Sequence, residues 1–183
     1  MDAIRLPTSN QLYVIVGGSG ALQRMLTLAA RLALRGGVWV LDCGNRANPL
    51  PVVRELRRLT MDPVRALANI QTARAFTCYQ VLALLEQTCS RPVREPVVIF
   101  DLLASFYDES VRYDEGQRLL AAALGHVRGL LAGAPVMVSV RPPPTDFPER
   151  AAFVQRVCAE ADQCWVEEAP SAAGVYQQGS LWT

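Results

Sequence analysis

The chain has 183 residues and no lysine; all 18 of its basic residues are arginines. That excludes a phosphate-clamping lysine, a Schiff base and a lysine general base. Histidine is nearly absent too. The single one, His126, has no cysteine or carboxylate at ligand spacing and reads as a surface or packing residue. Five cysteines (Cys43, Cys78, Cys89, Cys158, Cys164) are odd in number and lack any C-x-x-C spacing. They read as buried thiols of a reducing compartment, not as a disulfide framework or a zinc site. The opening "MDAIRLPTSNQ" has no apolar signal core, and no run approaches a membrane span, so a cytoplasmic protein without a membrane partner is expected. A net charge of +1 gives no bulk attraction to nucleic acid or an anionic surface.

Half of the residues are apolar, and the length suits one well-buried core; one domain over 1–183 is expected. Short β-branched runs alternate with segments of helical period. Strands are expected at 12–16, 38–42, 69–76, 96–101, 135–140 and 163–167, with a hairpin in the tail "GVYQQGSLWT". Helices are expected over 21–35, 50–59, roughly 78–89, about 114–132 and around 149–160. In the first, Leu22, Met25, Leu26, Ala29 and Leu32 face inward, and Arg24, Thr27, Arg31 and Arg35 form a polar stripe. Apolar strands separated by crossover helices imply a three-layer α/β fold, with a mostly parallel sheet covered on both faces. Ligands of such sheets bind beyond the carboxyl ends of the strands, where Gly17–Gly20, Asp42, Asp101 and Arg141 all fall.

The stretch "LYVIVGGSGALQR" places glycines between a strand and a helix, where backbone N–H groups and the helix dipole suit an anion. It half-matches two patterns. The dinucleotide pattern G-x-G-x-x-G fits from Gly18 through Gly20 with the third glycine replaced by Gln23, and Asp42 stands near the spacing of a ribose-binding acid. The P-loop pattern G-x-x-x-x-G-K-[ST] keeps Gly17, but its second glycine is Leu22, its lysine Gln23 and its hydroxyl Arg24.

The remainder of the chain separates the two. "NIQTARAFTCYQVLALLE" (69–86) resembles the strand and helix of RecA/RadA-type recombinases that read N-[IV]-x-x-A-R-A-F. "VVIFDLLASFYDESVRYDEGQRLL" (97–120) looks like their Walker B strand, loop and long helix. "PVMVSVRP" (135–142) resembles the nucleotide-sensing strand, and "VWVLDCGNRANP" (38–49) the second strand with its loop. The resemblance spans roughly residues 10–167 and implies a RecA-like P-loop sheet.

It also implies a vestigial nucleotide site formed by Gly17, Gly18, Ser19, Gly20, Gln23, Arg24 and Asp101. The phosphate lysine falls on Gln23, the magnesium hydroxyl on Arg24, the water-activating glutamate on Gly44 and the sensing glutamine near Arg141. Only the Walker B aspartate is kept, as Asp101. Phosphoryl transfer is catalysed by positioning and charge neutralisation, and one lost transition-state donor costs about 10²–10³ in rate. No hydrolysis, no metal and no cofactor are expected, with at most weak, non-hydrolytic ATP binding. The glycines, Asp42 and Asp101 also admit a purely structural reading as turn and capping residues. Asp108–Glu109 and Asp114–Glu115 read as loop and helix-start acids.

The two loops that contact DNA in such recombinases correspond to "LLASFYDESVRYDEGQ", more acidic than basic, and "RPPPTDFPERAAF". Few cations are available for phosphates, so weak DNA binding at most is expected of the isolated chain. DNA or partner contacts are expected at Arg31, Arg35, Arg54, Arg57, Arg58, Arg141 and Arg150, with further basic groups at Arg91 and Arg94. Exposed apolar contacts are expected at Leu12, Trp165, Tyr176 and Trp182. Only about ten residues precede the first strand, so no separate N-terminal domain is expected. The resemblance implies a non-catalytic scaffold or accessory subunit of a DNA repair or recombination complex. Its partner would be a RecA-like ATPase, a paralogue or a second copy, with DNA contacted within the complex. The alternatives are a regulatory subunit of another assembly and a dinucleotide-dependent enzyme using Gly18, Gly20 and Asp42.

Overall fold

Four runs rich in valine and isoleucine form the inner strands, because branched side chains pack on both faces of a covered sheet, and two more polar runs form the edges. A computed structural model describes residues 10–167 and places them as β1 (Leu12–Val16), β2 (Val38–Asp42), β3 (Ile70–Arg74), β4 (Val97–Phe100), β5 (Val136–Val140) and β6 (Gln163–Val166). Every pairing is parallel, in the order β3-β2-β4-β5-β1-β6. β4 and β5 are buried along their whole length, while all four residues of the edge strand β6 are exposed. The hairpin expected in the tail lies outside the described residues.

The helices divide by face. On one face α1 (Ser19–Ala33), α2 (Pro49–Leu59) and α3 (Pro63–Ala68) close over Ile15, Val40, Val98, Phe100 and Met137. On the other, α4 (Cys78–Cys89), α5 (Tyr113–Leu130) and α6 (Ala151–Glu160) close over Val14, Val16, Leu41, Ile99 and Val138. Alternation of Val14, Ile15 and Val16 between the two cores is the period of two of a strand buried on both sides. Met25, Leu26, Ala29 and Leu32 are buried on α1 as its period requires, whereas Leu22 is only partly so. α3 is an addition to the expected elements. Its start signal is local, Asp62 accepting from Arg65 N at 3.0 Å with Pro63 at the first turn, but six residues are too few to show a period. No helix among the described residues is long and apolar enough to cross a membrane.

Strand order matters more for the site than strand number. β1 and β4 flank β5, so the turn after β1, Asp101 after β4 and Arg141 after β5 are neighbours on one rim. β2 is two strands further from β1 than adjacency would place it, with β4 and β5 between.

The rim beyond β4 is held by Arg150, and here the expectation of a DNA or partner contact is corrected. Arg150 is 4% exposed. Its guanidinium donates to Phe106 O, to Asp108 O at 2.9 Å and to Val111 O at 2.8 Å, and it lies 5.0 Å from the Phe147 ring. Three carbonyls of one irregular loop thus share a single cation. A guanidinium does this because its donors fan out in one rigid plane. Arg150→Met leaves those carbonyls without a donor and is expected to cost about 3 kcal/mol, read as a lower urea midpoint.

Candidate functional site

The β1–α1 turn is closed by backbone first. Gly17 N donates to Val140 O at 2.9 Å, Gly18 stands at the helix N-cap, and no side chain caps α1. The uncapped N–H groups create a demand for an anion, and the chain supplies one itself. A Cβ on Gly17 would stand 2.7 Å, and one on Gly20 2.8 Å, from Glu167 Oε2, so the carboxylate occupies the hollow the glycines leave. Glu167 reaches it because its N–H donates to Val16 O at 2.8 Å, continuing the β1–β6 ladder one residue beyond β6. Arg24 Nε then pairs with Glu167 Oε1 at 3.1 Å. Arg24 therefore serves a carboxylate of its own chain, while Ser19 and Gln23 face solvent. Sequence reading missed Glu167: nothing in "QCWVEE" reveals that β6 ends beside the turn.

Across β5, Asp101 is 3% exposed and adopts φ +52°, the left-handed region that L-residues with a Cβ seldom occupy. The turn is held by Asp101 N donating to Ser139 Oγ at 2.9 Å and Leu102 N donating to Ser139 O at 3.0 Å. Arg141 Nε lies 2.5 Å and Arg46 Nη1 3.9 Å from Asp101 Oδ2. Burial pushes the Asp101 carboxyl above its ordinary range, against the opposing pull of Arg141 and Arg46. Where the resemblance places a sensing glutamine, Arg141 provides a fixed countercharge. Arg46 was not singled out from the sequence.

Gly44 is a steric requirement of this arrangement, not only a missing acid. A Cβ there would meet Asp101 Cβ at 2.6 Å and Oδ2 at 2.8 Å. With Asp101 so placed, no glutamate fits at position 44. The space left between Gly17, Leu22, Arg46, Asp101 and Arg141 is about 10 Å³, at the threshold for one water, which needs about 10–15 Å³.

Asp42 is also spent. It is 2% exposed, accepts from Arg46 N (2.9 Å) and Ala47 N (3.0 Å), and pairs with Arg74 Nε at 2.9 Å. A dinucleotide unit needs its acid on the strand next to the glycine turn. Here three strand spacings intervene, roughly 14 Å. Asp42 therefore does not stand beside the glycine turn, where the dinucleotide reading needs it.

Other residues spread over the surface. Arg31 pairs with Glu55 at 3.8 Å, as does Arg58 at 3.6 Å, while Arg35, Arg54 and Arg57 are exposed. Asp114 pairs with Arg112 and Glu115 with Arg118, as helix-start acids do. Leu12, expected to be exposed, is 1% exposed in the core. Trp165 is exposed and stacks on Tyr13, ring centroids 6.1 Å apart. Tyr176 and Trp182 lie outside the described residues. A cleft of about 440 Å³ separates the loops after β2, β3, β4 and β5, with Phe76, Ser105, Tyr107 and Arg141 in its wall. Cys43 borders it, but burial and the charges of Asp42 and Asp101 push its thiol far above the ordinary value, which removes the thiolate needed of a nucleophile. Among the described residues no group of three or more His, Cys, Asp or Glu side chains is placed to hold a metal.

No protein-family model matches the chain, and no curated protein matches its sequence.

Two outcomes are expected. The cysteines are not all buried as sequence reading held: Cys43 and Cys78 are, whereas Cys164 is exposed. Iodoacetamide applied to the native protein labels Cys164 and spares Cys43 and Cys78, as read by peptide mass mapping. Gly44→Ala forces its Cβ into Asp101 and lowers stability by about 1–3 kcal/mol in chemical denaturation.

Proposed function

We propose that this chain is a non-catalytic, RecA-like subunit that acts as a scaffold or accessory component in an assembly handling DNA during repair or recombination. One observation carries the reading. The position a nucleotide phosphate would take is filled by Glu167 and neutralised by Arg24, and the position of its metal is answered by Arg141 and Arg46 against Asp101. Each charge of the rim has an internal partner, so the rim works as a structural joint. The strand order supports a P-loop ancestry, because it sets the glycine turn and Asp101 on either side of the strand that carries Arg141. The narrower link to recombinases rests on residues 69–76 and 97–120, and the link to DNA rests on that resemblance.

The joint also explains why single substitutions should not restore chemistry. Gln23 offers no cation to a phosphate, Arg24 is committed, and position 44 is sterically closed to an acid. Phosphoryl transfer needs these groups together.

With magnesium and ATP, phosphate release by the purified protein is expected to equal that of a protein-free control. Glu167→Ala, which vacates the hollow, is expected to leave it at that level. Native co-purification followed by mass spectrometry is expected to return a RecA-like ATPase or paralogue. Turnover at an ordinary ATPase rate, or a stable assembly with no RecA-like member, overturns the proposal.

A further inference from the structure

The face covered by α1, α2 and α3 contains a cleft of about 230 Å³ whose lining includes none of the glycines of the β1–α1 turn. Leu26 and Ala29 of α1, Val52 of α2, Leu67 of α3, Ile70 of β3 and Phe100 of β4 line it. A dry apolar cavity of about 150 Å³ takes a benzene ring, so this one has room for a phenylalanine or leucine side chain. The same helices and the turn between them leave large apolar groups in water. Leu50 is 60%, Met61 102% and Val64 77% exposed. A cleft beneath helices that also expose such groups is an unusual thing to leave uncovered.

Charge on these elements has one sign. α1, α2 and α3 expose Arg31, Arg54, Arg57, Arg58 and Arg65, and their one acid, Glu55, is shared between Arg31 and Arg58. Asp62, just ahead of α3, accepts from Arg65 N and so serves the helix start. The arginines would attract either an acidic polypeptide or a nucleic acid. The cleft decides between them, because phosphates would satisfy the arginines yet leave Leu50, Met61, Val64 and the cavity exposed to water.

We infer that this face docks an acidic protein segment whose apolar side chain enters the α1–α2–α3 cleft. The inference rests on the scaffold reading and deepens it, by assigning the face and the chemistry of the partner. Arg31, Arg54, Arg57 and Arg58 then act as a charged rim that steers and orients the segment, and the buried anchor supplies most of the affinity. Burying one aliphatic or aromatic side chain in such a pocket stabilises a complex by about 1.5–3 kcal/mol, equivalent to roughly 10–100-fold in Kd.

The test uses fluorescence anisotropy with a fluorescein-labelled peptide of glutamate and alanine carrying a Leu-Leu-Phe anchor. Controls replace the anchor by alanine, or every glutamate by arginine, and an oligothymidylate serves as the nucleic-acid probe. The acidic, anchored peptide is expected to bind, and each control peptide to bind at least roughly tenfold more weakly. Thr72 is exposed and borders the cleft, so Thr72→Phe covers the mouth without crowding the core and is expected to weaken binding by a similar factor. The exposed pair Arg54→Glu with Arg57→Glu is expected to do the same, and keeps the test decisive if Thr72→Phe fails to fold. Absence of binding, equal binding of the anchor-free peptide, or displacement by a tighter-binding oligothymidylate overturns the inference. If Thr72→Phe recovers a RecA-like ATPase from native lysate as well as the wild type does, this face is not the docking site while the scaffold reading stands.

Discussion

The carboxyl-terminal rim of the sheet is built on one constraint: anions and cations that share a poorly solvated edge must neutralise one another. Glu167 lies in the hollow beside the start of α1, Arg24 pairs with Glu167, and Arg141 with Arg46 faces Asp101. Buried charges are costly unless paired, and breaking such a pair is worse than never having built it. The rim is therefore a set of ion pairs that join α1 to the end of β6, and the segments after β2 and β5 to Asp101 after β4. β6, exposed along its length, is held to the sheet by its ladder with β1 and by the carboxylate that follows it.

This arrangement gives the glycine turn a role without a ligand. A helix start with free N–H groups attracts negative charge whatever its source. Here a carboxylate of the same chain stands in the hollow beside that helix start. The layers agree with a P-loop or Rossmann-like α/β sheet, and ion pairs of the chain's own residues stand at the glycine turn and at Asp101. Interaction then has to come from elsewhere on the surface, which is why the arginine-rich face over α1–α3 carries the partner inference.

Legibility differed by element for physical reasons. β1 and β2 were readable to the residue because a strand buried on both faces is a continuous apolar run bounded by polar or glycine residues. α4 spans Cys78–Cys89, where a helix was expected, and Thr77 caps it by accepting from Gln80 N at 3.2 Å. α3 was passed over because a single turn and a half has no period to detect. The site was half legible. Gly17, Gly18, Asp101 and Arg141 stood out at strand ends, and the structure brings them together. Arg46 and Glu167 did not, since their partners are remote in sequence and their own neighbours are unremarkable. Arg150 was misjudged because an arginine in a proline-rich loop looks solvated, whereas here three carbonyls of a different loop enclose it.

What the chain alone determined was chemistry by subtraction. Without lysine, with one histidine, and with glutamine and arginine where a P-loop carries lysine and a hydroxyl, the chain has no lysine to offer a phosphate, and alternating apolar runs required a covered α/β sheet. Only the tertiary structure decided that β1 and β2 are not neighbours, that Asp42 is a loop cap, and that Glu167 fills the glycine turn. Strand order and long-range pairing depend on which faces meet once all helices are packed, and that information is distributed over the whole chain, not carried in any local stretch of it.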